Sequence, residues 1–524
     1  MKTWEYGVIF FMGLVVTLSM ASFQGVPGYM DAEYYAAGGI QIASGKGLTE
    51  PFLWNYLDDP AGLPHPANTY WMPLASLLAA GGMLIMGRLD FISARLLFFP
   101  LAALIPVITG WLAYQLTGRR PAAWMAGGLA VFSGFYVLYL GLTETFSLYM
   151  ILGSLFLWVG TASRPGIRRA VLLGGLAGLM HLARADGILW LAAAGILVGI
   201  DGWKQRATGQ WRTLLIKFSG LILAYGVVMG FWYGRNLAVF GSLFPPGSSR
   251  ALWLVDYDQL YAFPAGSLNF QNWWASGIVE LLKVRWDALV ANLQTALAVQ
   301  GAVYLSPLIV VGFWRLRRHP MVQVGGVFWL VTLAVMTLVF PLAGSRGGFL
   351  HSGAAFQPLF WAAAAEGLMG FIDLGVRWRN WKPARAAAGF GLMAVIVASL
   401  VTLGVAGARL IGEGGHASAW QASWDAYAAA GSALERSGVP VGERVMVNDP
   451  PGFYLAAGYP ALAIPNGGVD VLLAASRRYQ ASYLVLEENT VKGLRPLYRQ
   501  PEDQPGLKYL ETVGSAHLFQ ILQP

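Results

Sequence analysis

The chain has 524 residues, 56% of them hydrophobic and only 12% charged, with a mean hydropathy of +0.53. Soluble domains carry about 25% charged residues, so this composition excludes a soluble enzyme, a disordered chain and a nucleic-acid binder. Apolar runs of about twenty residues recur along most of the sequence, which leaves a polytopic helical membrane protein. The net charge of +8 is unevenly placed: residues 1–412 hold 27 basic and 16 acidic side chains, and residues 413–524 hold 8 and 11. The basic excess belongs to membrane loops, where it orients spans rather than recruiting a polyanion. Cysteine is absent, which removes disulfides, thiolate metal sites and cysteine nucleophiles.

The first apolar run, Met1 to about Gly25, reads as an uncleaved span, with a cleaved signal peptide as the alternative. An outer loop, 27–90, follows. Within it Trp71–Gly87 is short for a span, begins at Pro73 and carries Gly81-Gly82, so a re-entrant or surface helix is predicted. Spans are predicted at 91–117, 121–140, 143–162, 170–183, 187–201, 213–234, 289–312, 322–343, 354–374 and 386–411. Basic clusters at Arg119/Arg120, Arg164/Arg168/Arg169, Lys204/Arg206/Arg212, Arg315/Arg317/Arg318 and Arg377/Arg379/Lys382/Arg385 fall on one side if 71–87 does not cross. That gives about eleven crossings, the N-terminus inside and residues 413–524 outside. Arg88 and Arg95 are then left on the outer side against the rule. The same topology collects nearly all acids of the membrane part on the outer face, so the chemistry is expected to be extracytoplasmic.

A second outer loop, 235–288, is rich in tryptophan and tyrosine, as suits a membrane surface. Residues 413–524 read as a soluble α/β domain. Its predicted elements are a helix Trp420–Arg436, a strand Arg444–Asn448 and a short helix opened by Asp449-Pro-Pro-Gly452. A strand Ala461–Ile464, a helix Val469–Tyr479, a strand Tyr483–Glu487 and a hairpin of 507–512 with 516–522 follow. No GxGxxG or phosphate loop is present, so no nucleotide is assigned.

Acids and arginines are the only rich chemical resource. Gly28-Tyr-Met-Asp31-Ala-Glu33-Tyr34-Tyr35 sets carboxylates just beyond the first span, where Asp31 could be a general base or the N-cap of a helix over 32–44. Glu144, at an outer turn, is costly at that depth unless paired or working. Arg184-Ala-Asp186-Gly interrupts two apolar runs: an anion grip held by Asp186, or a structural ion pair. Arg235 and Arg346 could each grip phosphate through a fork of donors, or in the case of Arg235 snorkel to the interface. His65 and His351 lie in outer loops, where lone histidines are more often structural.

Taken together, Tyr-Met-Asp31-Ala-Glu33-Tyr-Tyr, the Pro73-Leu74 helix, Thr143-Glu144, the Ala-Arg184-Ala-Asp186-Gly break, Arg235-Asn236 with Phe240-Gly241, and the late Arg346 form an ordered set. That set resembles the GT-C glycosyltransferases, most closely the family 39 type of protein O-mannosyltransferases and aminoarabinose transferases. The resemblance implies a GT-C membrane domain over 1–412 and an extracytoplasmic domain over 413–524. It implies an inverting transfer of a sugar from a polyprenyl-phosphate donor to a hydroxyl acceptor at a prokaryotic plasma membrane, with Asp31 as base. The late Arg346 is the implied phosphate contact and the first of three phosphate candidates, with Arg184 and Arg235 after it and Asp186, Tyr34 and His351 in support. Glu33, Glu144 and His65 would position the acceptor or, less favoured, hold a divalent metal; a full Asp-x-Asp motif and the usual Arg-Tyr pair are absent. A lipid-linked sugar transporter and a non-catalytic assembly protein are the competing readings. Few charges lie mid-span, which disfavours the transporter.

Overall fold

The computed structural model describes residues 1–162, 166–204, 211–411 and 418–522. A chain crossing a bilayer must satisfy its backbone polar groups internally, so its long apolar runs become helices. In chain order these are α1 (Thr3–Ala21), α2 (Met30–Ala43), α3 (Leu74–Met86), the single turn α4 (Phe91–Ala94), α5 (Phe98–Thr117), α6 (Arg120–Val131), α7 (Phe146–Gly160), α8 (Ile167–Ala183), α9 (Ile188–Lys204) and α10 (Trp211–Phe240). Then come the short α11 (Gly247–Arg250) and α12 (Phe270–Ala275), α13 (Ile278–Thr295), α14 (Ser306–Arg315), α15 (Pro320–Leu338), the short α16 (Pro341–Ala343) and α17 (Phe349–Gly353), α18 (Gln357–Arg379) and α19 (Pro383–Ala406).

Among the described residues, seven helical segments are long and apolar enough to cross a membrane: Thr3–Ala21, Phe91–Thr117, Ala185–Trp203, Trp211–Phe240, Pro320–Leu338, Pro341–Arg379 and Pro383–Ile411. The other four expected spans appear as shorter or interrupted helices. The 121–140 run ends its α-helix at Val131 and continues as a tighter turn over Gly134–Leu138. Runs 143–162 and 170–183 form α7 and α8, of 15 and 17 residues. The 289–312 run is broken, because Ala302 and Val303 take left-handed conformations between α13 and α14. The second outer loop is also shorter than 235–288, since α10 continues to Phe240 and α13 begins at Ile278.

Helices pack closely where small residues meet. A Cβ on Gly312 of α14 would lie 1.8 Å from the Ala363 carbonyl oxygen of α18, so these backbones touch directly. At one end of the bundle Arg119 pairs with Asp373 at 3.0 Å, Arg315 with Glu366 and Asp373, and Arg120 with Glu5. Three basic clusters and the N-terminal helix therefore share that end. Arg169 pairs with Asp201, while Arg164 and Arg206 lie outside the described residues. Arg95 is no surface charge: it is buried, and it donates to the carbonyl oxygens of Gly141 and Gln24 and to Gln24 Oε1 at 2.8–2.9 Å.

The tail folds as α20 (Ala419–Arg436), β4 (Arg444–Val447), α21 (Pro450–Ala457), β5 (Ala461–Ala463), α22 (Val469–Tyr479), β6 (Ala481–Leu486), the short α23 (Arg495–Arg499), β7 (Leu507–Val513) and β8 (Ala516–Ile521). The first long loop, between α2 and α3, supplies β1 (Thr49–Glu50), β2 (Phe52–Leu53) and β3 (His65–Pro66). The six-stranded sheet runs β2-β5-β4-β6-β8-β7, with β2 parallel to β5 and β8 antiparallel to β6. Its edge strand β2 is thus borrowed from the first long loop, so tail and membrane part share one sheet. The 412/413 boundary falls in the segment 412–417, outside the described residues.

Candidate active site

α2 begins at Met30 after an extended Tyr29, and no side chain caps it. Asp31 is therefore not an N-cap. It lies in the first helical turn, half-buried, with its carboxylate free to face a cavity of about 350 Å³. His351 of α17 meets it there. His351 Nε2 lies 3.5 Å from Asp31 Oδ2 and 3.2 Å from Glu144 Oε1. The ring stacks on Phe146 at 4.2 Å and is oriented by a 2.8 Å contact of Nδ1 with the Gly347 carbonyl oxygen. That bond places the Nδ1–H on the carbonyl and turns Nε2 toward the two acids. Burial, and next the nearby Glu144 carboxylate, push the Asp31 carboxyl up to about 7, the range that suits a general base at neutral pH.

The next residue on α17 joins this group to an arginine. Ser352 Oγ donates to Asp186 Oδ2 at 2.7 Å, and Asp186 Oδ1 accepts from Arg184 Nε at 2.9 Å. Asp186 thereby fixes one edge of the guanidinium, and the terminal nitrogens of Arg184 have no hydrogen-bond partner among the described residues. Arg346 is exposed at a kink where Gly347 takes φ 117, and its guanidinium lies 4.8 Å over the Tyr257 ring. Asp31, Arg184, Arg346 and His351 all line the cavity, whose remaining wall includes Ile188, Leu189, Trp232, Phe244 and Phe340. The cavity is amphipathic: Asp31, Asp186, Arg184 and Arg346 line it together with aliphatic and aromatic side chains.

Four of the expected residues lie elsewhere. Tyr34 donates to Glu50, and His65 Nε2 lies 3.4 Å from Glu50 Oε2 and 2.9 Å from the Phe52 carbonyl oxygen. These three buried side chains knot the first loop together and are not in the cavity lining. Arg235 donates to the Ala67 carbonyl oxygen and to Asn236, and it lies over Trp232 and Phe240; it is not in the cavity lining. Glu33 turns to the tail. Its Oε2 would lie 2.9 Å from a Cβ on Gly452, and burial together with Asp449 pushes its carboxyl up.

The metal expectation also changes membership. Asp31, Glu144 and His351 each offer a ligand atom, all within 4.8 Å of one another. Glu144 Oε2 and His351 Nε2 are buried without hydrogen-bond partners, as would suit atoms that bind an ion. Two carboxylate oxygens and an imidazole nitrogen fit a borderline divalent ion. Glu33 and His65 are not part of this set. The sequence reading overlooked His181, Tyr233, Tyr257, Trp54 and Trp71, all cavity-lining. The one available signal was a histidine three residues before Arg184 in an apolar run.

No protein-family model matches the chain, and no curated protein matches its sequence. Solved structures do match. ArnT from Cupriavidus metallidurans, solved bound to undecaprenyl phosphate, aligns over 99% of this chain and 98% of its own length, with TM-score 0.58 and 13% identity. The archaeal oligosaccharyltransferase AglB from Archaeoglobus fulgidus, in complex with an inhibitory peptide and a dolichol-phosphate, aligns over 92% of this chain and 69% of its own, with TM-score 0.51 and 11% identity. The chain has the GT-C glycosyltransferase fold. The mycobacterial arabinofuranosyltransferase AftD shares this fold over 99% of the chain, which spans only 42% of AftD (TM-score 0.51, 15% identity). As in sequence, the GT-C likeness runs through the membrane part and the tail, so the whole chain is an integral membrane protein of this architecture.

Proposed function

We propose that the protein is a polyprenyl-phosphate-dependent glycosyltransferase acting at the outer face of a prokaryotic plasma membrane. The observation that carries this reading is the amphipathic cavity, lined by Asp31, Arg184 and Arg346 together with aliphatic and aromatic side chains. A lipid-linked sugar phosphate has the matching polarity: an anionic linkage and an apolar tail. The GT-C neighbours solved with undecaprenyl phosphate and dolichol-phosphate support the same donor class.

In this mechanism an acceptor hydroxyl, on a protein, lipid or glycan, enters from the outer side next to Asp31. Its oxygen attacks the anomeric carbon from the face opposite the phosphate. The bond from that carbon to the phosphate oxygen breaks, and the configuration inverts. The hydroxyl proton passes to the Asp31 carboxylate, which burial and Glu144 hold near neutral affinity for it. The polyprenyl phosphate leaves with the bonding pair, and the guanidinium groups of Arg184 and Arg346 neutralise its growing charge. Asp186, Ser352 and Tyr149 keep Arg184 aimed. A divalent ion held by Asp31, Glu144 and His351 would add positive charge to the cavity.

The test is turnover of a panel of polyprenyl-phosphate sugars by the protein in nanodiscs, compared with Asp31→Asn. Consumption of a donor by the wild type and not by the variant is expected. Equal consumption by both would remove Asp31 from catalysis.

A further inference from the structure

We propose that His181 is a donor-binding residue. With Arg184 it grips the phosphate of the lipid-linked sugar, and the hydroxyls of Tyr225 and Tyr233 hold its ring in the tautomer this requires. The inference deepens the glycosyltransferase reading above and rests on it.

His181 is 3% exposed, near the end of α8 in the apolar run that follows Arg169, and it lines the cavity. A polar ring at that depth is costly unless its hydrogen bonds are met or it has work to do. One nitrogen is met: Nδ1 lies 2.5 Å from the Tyr225 hydroxyl, which lies 2.7 Å from the Tyr233 hydroxyl. Tyr233 also lines the cavity. The other nitrogen, Nε2, has no hydrogen-bond partner among the described residues.

A neutral imidazole has one N–H. When Tyr233 donates to Tyr225 and Tyr225 donates to Nδ1, that N–H sits on Nε2. The two tyrosines lie eight residues apart on α10, and that helix packs along α8, so the chain of hydroxyls is held by the bundle itself.

The same corner of the fold carries Arg184. A Cβ on Gly187 would lie 2.3 Å from His181 Cα and 2.3 Å from the Met180 carbonyl oxygen. Only glycine lets the turn after Arg184 lie flat on the end of α8, so His181 and Arg184 are presented as one unit. Arg184 adds terminal donors with no partner of their own, and Arg346 lines the same cavity. This set consists of donors only. A phosphate linkage presents acceptor oxygens only, whereas a sugar hydroxyl also needs an acceptor. The set therefore fits the phosphate rather than the sugar.

The experiment measures binding of polyprenyl phosphate, and of the phosphate-free polyprenol, to the full-length protein in nanodiscs. It compares wild type, His181→Phe, His181→Gln and Tyr225→Phe, and it also reads the donor KM. The expected result is a tenfold or greater loss of polyprenyl-phosphate affinity in His181→Phe with polyprenol binding unchanged. His181→Gln, whose amide can donate from the Nε2 position, should stay within about threefold of wild type. Tyr225→Phe, which frees the tautomer, should lie between the two. Equal affinity of His181→Phe and wild type for polyprenyl phosphate would overturn the proposal. So would a parallel loss of both ligands, which would mark His181 as packing. If His181→Phe does not fold, a Tyr225→Phe variant with unaltered phosphate affinity overturns it. A wild type that binds both lipids equally would fail the glycosyltransferase reading, and this inference with it.

Discussion

His351 Nε2 lies 3.2 Å from Glu144 Oε1 and 3.5 Å from Asp31 Oδ2, so one imidazole touches both outer-loop acids at once. The three residues act as one electrostatic unit. Glu144 raises the proton affinity of Asp31, whereas His351 and Arg184 lower it. The base must be deprotonated to accept the acceptor proton, so activity should rise as pH passes through about 7. In chelator-treated enzyme, kcat/KM against pH should show that acidic limb. Glu144→Gln should move it to lower pH and His351→Gln to higher pH. A limb that stays in place in both variants would separate Asp31 from the pH response.

The raised carboxyl also predicts a stability signature. A group bound more tightly to its proton in the folded state stabilises the fold at low pH and loses that contribution as pH rises towards the folded value. For Asp31 the window runs from 3.8, the ordinary value, to about 7. Asp31→Asn cannot ionise, so it should become increasingly more stable than the wild type across that window, by up to ~1.4 kcal/mol per pH unit. Thermal unfolding of both proteins from pH 4 to 8 checks this. A constant difference across the range would show that burial does not hold Asp31 in its protonated form.

Metal binding should follow the Asp31, Glu144 and His351 geometry and not His65. Purified protein loaded with Mn2+ or Zn2+ and then washed should retain about one ion by elemental analysis, with roughly tenfold weaker affinity or worse in Glu144→Gln and His351→Ala. His65→Ala should retain the ion. Equal retention by all variants would locate the ion elsewhere.

The two groups of arginines make opposite predictions. Arg346→Ala removes from the cavity a guanidinium with no ion pair or hydrogen bond among the described residues, and should raise the donor KM roughly 10- to 100-fold, the size of a lost hydrogen bond to a charged group. Arg235→Ala should leave KM unchanged and lower thermal stability, because its donors are already committed to Ala67 and Asn236. Steady-state kinetics beside thermal unfolding separates the two. A KM effect from Arg235→Ala would return it to the phosphate site.

The tail was the most legible part of the chain, because its short apolar strands alternate with amphipathic helices and turn residues such as Asp449-Pro-Pro mark the borders. The helix Val469–Tyr479 has the expected ends. The borrowed strand Phe52–Leu53 was not legible, since two residues pairing with a strand some four hundred positions later leave no periodicity. Asp31, Arg184 and Arg346 were readable as charges beside apolar runs. Nothing local separates His65 from His351: both are histidines in outer loops, and only packing sends one to Glu50 and the other to Asp31. The helix breaks at Val131 and Ala302 were hidden for a related reason, because hydropathy reports burial in lipid and not the conformation of one or two residues.

Arg95 shows what hydropathy and charge counting miss, and its substitution makes the last prediction. By position it breaks the basic-side rule, yet it is 2% exposed and flanked by the rings of Phe91 and Phe99. Its acceptors are in the two segments that carry the acids. Gly141 lies three residues before Glu144, and Gln24 seven before Asp31. Gln24 in turn donates to the Leu138 carbonyl oxygen, so one guanidinium ties the end of α1 to the turn before α7. Arg95→Met would leave those buried oxygens without donors, at a cost of about 3 kcal/mol or more. Arg95→Lys, with one point of charge and no fork, should recover only part of it. If the tie also sets the spacing of Asp31 and Glu144, kcat should fall in Arg95→Lys even at temperatures where the variant is fully folded. Unchanged kcat in folded Arg95→Lys would confine Arg95 to stability.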